Sequence, residues 1–367
     1  MSKWPIQRLG NLMSLEYGKA LPEAHRDESG TCVVAGSNGA QGFHTQWLAK
    51  APAIVVGRKG SAGQVTWFDQ DVWPIDTTYF IVPKANLNLR WLYYCLRTVG
   101  LPDLATATGV PGLNRNDVYQ LTVSVPPVYE QERIVRILDE AEALRCLRAE
   151  ANERTNQLTE AVFDKMFGST SSTAKPWETV TLGSLGTVVT GNTPPRSESS
   201  FYGDFIEWVK TDNIDSYRGI VRPSAERLSE TGAMRGRIVP EGTVLITCIA
   251  GSIERIGDAA ITDRRVAINQ QINAIVPMEN VESAFLGELV RVLKPLIQRS
   301  ATGVITRIIN KSELEKIPGI LPPLSLQRKF ADQVAEVRKL EKRQDASRQR
   351  IGDLFQSLLH RAFKGEL

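Results

Sequence analysis

Two long stretches of the chain carry the same hydrophobic rhythm. From Val128 to Phe167 there is neither Pro nor Gly. Ile134, Ile137, Ala141, Leu144, Ala151, Leu158 and Val162 fall on a three-four seam, broken by the polar Arg148 and Thr155. A second run begins at Leu324, is interrupted by Gly352 and continues to Lys364. There the seam is Phe330, Val334, Val337, Ile351, Phe355, Leu358 and Ala362, with Glu341, Gln344 and Arg348 polar in the middle. An interior Gly costs a helix about 1 kcal/mol relative to Ala, which a long packed helix tolerates. The spacing predicts two long helices. Apolar ends and polar centres suit antiparallel pairing, which matches like with like along the seam.

The segments before these helices have a different pattern. In 1–127 and 168–323, short runs rich in β-branched and aromatic residues alternate with Gly, Pro and Asn turns, which predicts strands. Short helices punctuate them, one around Arg90–Arg97 and a counterpart around Phe285–Leu293. The expected fold class is α+β. The boundaries are a first strand-rich domain over 1–127, a central helix over 128–167, a second domain over 168–323 and a C-terminal helix over 324–367.

The chain repeats itself. WPIQRLGNL (4–12) returns as WETVTLGSL (177–185), and Gly18 as Gly191. TATGV (106–110) returns as SATGV (300–304), and LNRNDVYQL (113–121) as INKSELEKI (309–317). VPPVYEQ (125–131) answers LPPLSLQ (321–327). The offset grows from 173 to 196, placing about 23 extra residues in the second copy, around 193–235. This is a tandem duplication. About 38 helical residues would span roughly 57 Å, and one turn of DNA is about 34–36 Å. A helix pair of that length suits a spacer between two reading domains.

Charge adds little in total, at +3, but more in its distribution. The central helix has 6 basic and 9 acidic residues, the C-terminal helix 10 and 6, so the two differ in sign. Cys32, Cys95, Cys146 and Cys248 are far apart with no C-x-x-C pair, which argues against a zinc site or disulfide frame and fits a reducing cytoplasm. No run of about 18 apolar residues occurs, so no membrane span is expected. The three histidines, His25, His44 and His360, lack metal-ligand spacing. No nucleophile elbow or dinucleotide fingerprint is present, and no catalytic residue is assigned. Asp69, Asp71 and Asp76 lack the pattern of a nuclease cluster and read as turn acids. Thr193–Arg196, TPPR, lacks the Asn and aromatic residue of an amino-methyltransferase motif.

The strongest candidate chemistry lies in IVVGRKGSAG (54–63). A phosphate loop places Lys after the last Gly and links a strand to a helix; here Lys59 precedes Gly60, and QVTWF (64–68) reads as a strand. The stretch is therefore a hairpin tip. Arg58, Lys59 and Ser61 offer a guanidinium fork, an ammonium and a hydroxyl on a backbone thinned by glycine, which suits guanine edges and phosphates. Thr77 and Thr78 follow, and Asn269 and Gln270 stand at the corresponding point of the second copy, where amides could pair with adenine. The counterpart of the tip, TCIAGSIER (247–255), keeps a Gly-Ser turn with other side chains.

This ordered set resembles the specificity subunit of type I restriction–modification systems. It comprises Trp4, Leu9 and Gly10, the 54–63 tip, WPIDTTY (73–79), GLNRND (112–117), VYEQERI (128–134), FDKMFG (163–168) and HRAFKGEL (360–367). The resemblance covers essentially the whole chain. It implies two target-recognition domains, each reading half of a split site in double-stranded DNA. It implies an antiparallel helix pair, seamed by Ile134, Ile137, Ala141, Leu144, Leu158, Phe330, Val334, Val337, Ile351, Phe355 and Leu358. That pair would set the spacer and dock two methyltransferase subunits, with restriction-motor subunits joining. S-adenosylmethionine, ATP and Mg would act in those partners. DNA-contact positions map to Arg58, Lys59, Ser61, Asn114 and Arg115, and in the second domain to Ser252, Arg255, Asn269, Gln270 and Arg307. The second copy departs from the pattern, with ITRIIN (305–310) in place of the PGLN loop. A recognition subunit of a related phage-defence methyltransferase, and a coiled-coil assembly protein without DNA readout, are the alternatives.

Overall fold

The computed structural model describes residues 4–105, 111–168, 177–303 and 305–367. The Thr106–Val110 half of one repeat and Val304 lie outside the described residues. The chain divides into two compact units, Met1–Arg148 with Ser347–Leu367, and Ala149–Ala346.

In the first unit, β-branched runs form an antiparallel sheet in the order Met13–Tyr17, Thr78–Pro83, Ala53–Gly57, Val65–Phe68. A second sheet holds Gly39–His44, Cys32–Gly36 and Val72–Pro74, the last two parallel. Helix Leu89–Leu96 starts at Asn88, whose side chain accepts hydrogen bonds from the Arg90 and Trp91 amides at 2.9 and 3.0 Å. The cap aims Trp91, Leu92 and Tyr94, all fully buried, into a core shared with Leu9, Leu15, Ile54, Ile134, Leu138 and Phe355. Asn88→Ala should lower stability by about 1 kcal/mol, read as a shift in urea midpoint; an unchanged midpoint would remove the cap from the account.

The second unit repeats this plan. Gly186–Thr190, Ile272–Pro277, Val244–Thr247 and Ala259–Ile261 form the matching sheet, which Ile220–Val221 and Ile214–Asp215 extend. These added strands fall within the insertion expected around 193–235. Tyr202–Val209 lies parallel to Val266–Ile268, as Cys32–Gly36 does to Val72–Pro74. Phe285 meets Phe167 edge to face at 5.1 Å where the first unit sets Trp91 against Phe363 at 5.8 Å.

The helices are Val128–Asn156, Leu158–Phe167 and Leu324–Lys364. Gln157 keeps right-handed helical angles (φ −78°, ψ −14°). Within the first unit, Arg133 donates to the Leu367 carbonyl at 3.2 Å and Arg145 lies 4.7 Å from the Phe355 ring. Within the second, Gln344 donates to the Thr155 hydroxyl at 2.8 Å and Phe163 meets Phe330 at 5.6 Å. Rising numbers on one helix meet falling numbers on the other, so both segments pair antiparallel, and a polar pair sits at Thr155 as the seam's polar breaks suggest.

Two seam positions need correction: Leu144 and Leu158 are 52% and 42% exposed. Ile134, Ala141 and Thr155 belong to two possible stripes, one completed by 137, 144 and 158, the other by 138, 145 and 159. The core takes the second, with Leu138 fully buried and Ile137 only half-buried. Apolar content alone favoured the wrong neighbour at these turns.

A glutamine clasps each long helix to its domain. Gln131 accepts from the Asn88 amide at 2.8 Å and donates to the Pro126 carbonyl at 2.9 Å. Gln327 does the same with the Glu282 amide and the Pro322 carbonyl, at 2.9 and 2.8 Å. Both are buried, at 1% and 0% exposure.

Candidate nucleic-acid interface

Strands Ala53–Gly57 and Val65–Phe68 pair antiparallel, so the Gly57–Gly63 stretch is a hairpin tip with no helix behind it. Gly63 is left-handed (φ +82°), and a Cβ there would come within 2.4 Å of the Pro102 nitrogen. A Cβ on Gly57 would come within 2.0 Å of the Ser61 carbonyl oxygen. Only glycine lets the loop close this tightly.

The tip is tied to two distant segments. The Arg58 and Lys59 amides both donate to the Thr77 carbonyl, at 2.8 and 3.1 Å. Gly60 donates to Pro111, and Leu113 donates back to Arg58, at 3.1 and 2.9 Å. The structure therefore brings the segments that carry Arg58, Lys59, Ser61, Thr77, Asn114 and Arg115 together. Lys59 and Ser61 are exposed, and Arg58, Thr77 and Arg115 half-buried. Asn114 is exposed and caps helix Arg115–Gln120, accepting from the Asn116 amide at 3.0 Å.

Thr78 does not belong to this group. It is fully buried and its hydroxyl donates to the Ile75 carbonyl at 2.7 Å, a turn that consumes the polar group. Tyr17, which the sequence did not single out, does belong: its ring is 5.2 Å from the Arg58 guanidinium and 4.8 Å from that of Arg115. Behind it lies Tyr79, ring centroids 5.1 Å apart, donating to the Leu113 carbonyl at 3.1 Å. Burial, with Tyr17 beside it, pushes the Tyr79 phenol up, so it stays neutral. The only available signal was position: Tyr17 precedes Gly18, as Thr190 precedes the repeated Gly191.

Backbone hydrogen bonds give a residue-by-residue match with the second unit. Gly18 donates to Thr78 and Gly191 to Ile272; Leu113 donates to Arg58 and Ile309 to Cys248. Gly63 donates to Gly57 and Gly257 to Thr247, and Gly257 is left-handed like Gly63 (φ +81°). Cys248 thus stands for Arg58, Gln271 for Thr77, Asn273 for Tyr79 and Thr190 for Tyr17. Asn273 bonds the Ile309 carbonyl as Tyr79 bonds that of Leu113, and Thr190 donates to Asn273 at 2.8 Å. Burial pushes the Cys248 thiol up to about 12, so a neutral group replaces a cation.

Between these anchors the first loop has residues 58–62 and the second 248–256. The Gly-Ser turn at 251–252 thus belongs to a loop four residues longer. Ser252 is exposed within it. Arg255 donates to the Thr211 carbonyl at 2.9 Å and lies 3.3 and 3.6 Å from Asp258 and Asp212. Arg307 donates to the Gly303 carbonyl at 2.5 Å beside its strand partner Ala250. Asn269 is a second correction: 4% exposed, it accepts from the Gln271 amide and donates to the Gln271 side chain, closing a turn. Gln270 is exposed and accepts from the Thr193 hydroxyl. Arg196, three residues on, stacks on Tyr202 and Trp208 at 4.8 Å each and pairs with Glu226 at 2.7 Å. Asp69 and Asp71 accept from the Trp67 indole and the Ala51 amide, as turn acids do.

Among the described residues no helix is long and apolar enough to cross a membrane. The family model described as type I restriction modification DNA specificity domain matches residues 1–160 and 174–347. The type I restriction enzyme HindI specificity subunit of Haemophilus influenzae is 23% identical over 273 residues, 72% of this chain and 54% of that protein. The EcoR124I/EcoR124II specificity subunit of Escherichia coli is 22% identical over 316 residues, 82% and 76% of the two chains. The match thus spans only about half the length of the H. influenzae relative. Among solved structures, the type I S subunit from M. genitalium shares the fold at TM-score 0.60 and 16% identity, covering 99% of this chain and 96% of that one. A chain from a study of assembly and conformational transition of the type I R-M system gives 0.60 and 19%, covering 99% and 98%. With both copies of its repeat matched, the chain belongs to the type I restriction modification DNA specificity domain family.

Proposed function

We propose that this chain is the sequence-reading subunit of a type I restriction–modification complex, acting on double-stranded DNA in the cytoplasm. Each domain reads one half of a bipartite target. One observation carries this: the two copies share the backbone bonds that hold the hairpin tip and differ in the side chains it presents. A scaffold kept constant under variable side chains is what two readers of different half-sites require. Arg58 and Lys59, free of ion pairs among the described residues, supply the first reader's charge.

The helix pair sets the spacer and docks two methyltransferase subunits, to which restriction-motor subunits add. Leu144 and Leu147, 52% and 62% exposed on the central helix, support a docking role for its outer face. Catalysis, with S-adenosylmethionine, ATP and Mg, belongs to those partners.

The test is genome-wide mapping of methylated adenines in a strain carrying the protein, repeated with Arg58 and Lys59 replaced by Ala. The expected result is a split motif, with one half-site relaxed in the variant or binding weakened at least about fivefold, since one good Arg–base pair is worth about 1–3 kcal/mol. An unchanged motif and affinity would reduce the tip to a turn.

A further inference from the structure

Two guanidinium groups share one ring that is itself 48% exposed. Gathering two cations is unfavourable in isolation, and here no carboxylate offsets them: among the described residues neither Arg58 nor Arg115 forms an ion pair. Tyr79 behind them is neutral. The cluster therefore keeps its net positive charge and can take an electron-rich acceptor from outside.

Both forks are also held in place. Arg58 donates from Nε to the Asp76 carbonyl at 3.0 Å, and Arg115 from Nη1 to the Leu15 carbonyl at 3.4 Å. With one edge of each guanidinium tethered and the ring fixing its plane, rotation is restricted. That suits a two-point acceptor, either the oxygens of a phosphate or the edge of a guanine. The duplication decides between them. Phosphates are alike in both halves of any duplex, so a grip on them has no cause to diverge between copies. This cluster diverges: Thr190, Asn273 and Cys248 stand where Tyr17, Tyr79 and Arg58 stand, and Lys311 keeps a cation but not the guanidinium of Arg115, so both the ring and the fork are lost.

We propose that Tyr17 is the positioning residue of a two-arginine fork through which the first domain reads a guanine, at O6 and N7 in the major groove. The second half-site is read without this fork. The inference rests on the DNA-reading function proposed above.

The test selects bound duplexes from a randomised pool with the full chain, its Tyr17→Leu and Tyr17→Phe variants, and Arg58→Gln. The wild type should select a split motif with a guanine in one half. Tyr17→Leu and Arg58→Gln should each reduce preference for that guanine about tenfold and leave the other half-site intact, which also reports correct folding. Tyr17→Phe should keep the preference. Replacing the guanine by 7-deazaguanine, which lacks N7, should weaken the wild type about tenfold and Tyr17→Leu far less. If Tyr17→Leu lowers affinity for all duplexes with the guanine preference intact, the cluster grips phosphate and the proposal is wrong. Loss of preference in Tyr17→Phe would overturn the role of the ring. If the wild type selects no motif, the DNA-reading function falls and this inference with it.

Discussion

Replacing Gln131 by Leu should lower the unfolding free energy by about 2–4 kcal/mol, as should Gln327→Leu. Leu fills a similar volume, so the effect is not that of a cavity. It comes from two backbone groups left without partners in each clasp: the Asn88 amide and Pro126 carbonyl, or the Glu282 amide and Pro322 carbonyl. A buried polar group stripped of its partner costs about 1–3 kcal/mol. Urea unfolding followed by tryptophan fluorescence measures the loss, and a midpoint within error of wild type would refute the clasp. The two substitutions touch separate clasps, so their costs should add to within about 0.5 kcal/mol.

Removing seven residues from the centre of each long helix should change the target in one respect only. The heptad keeps the seam in phase, so pairing survives, while each helix shortens by about 10 Å. If the helices act as a spacer, the gap between half-sites should contract by about three base pairs at 3.4 Å each. The original target would then no longer be methylated, although the bases of both half-sites stay the same. Methylome sequencing gives the answer directly. Altered half-site bases at the old spacing would mean that the helices do not set the gap.

The duplication, the α+β class and the long helices were legible because each leaves a periodic or repeated trace. Gln131 and Gln327 were visible as matched letters after the Pro-Pro pairs, yet nothing in a letter says that it reaches back to a helix cap. Leu144 and Leu158 were misplaced because a three-four seam has two solutions sharing every other position, and only packing chooses between them. Thr78 and Asn269 looked like contact residues because they are polar beside strands; turn geometry uses up both side chains. Tyr17 was invisible for a different reason. It meets Arg58 and Arg115 only through the register of Met13–Tyr17 on Thr78–Pro83 and the tie of the tip to Leu113, links across 41 to 98 positions of sequence.

The left-handed glycines Gly63 and Gly257 hold identical backbone bonds around loops of unequal length. The bonds that anchor each loop lie at its base, so the loop between them can change in length and side chains without asking the core to repack. On the DNA-reading function proposed above, the address would then be written inside the loop while stability is anchored outside it. A new target would require exchange of only a short cassette, at little cost to folding.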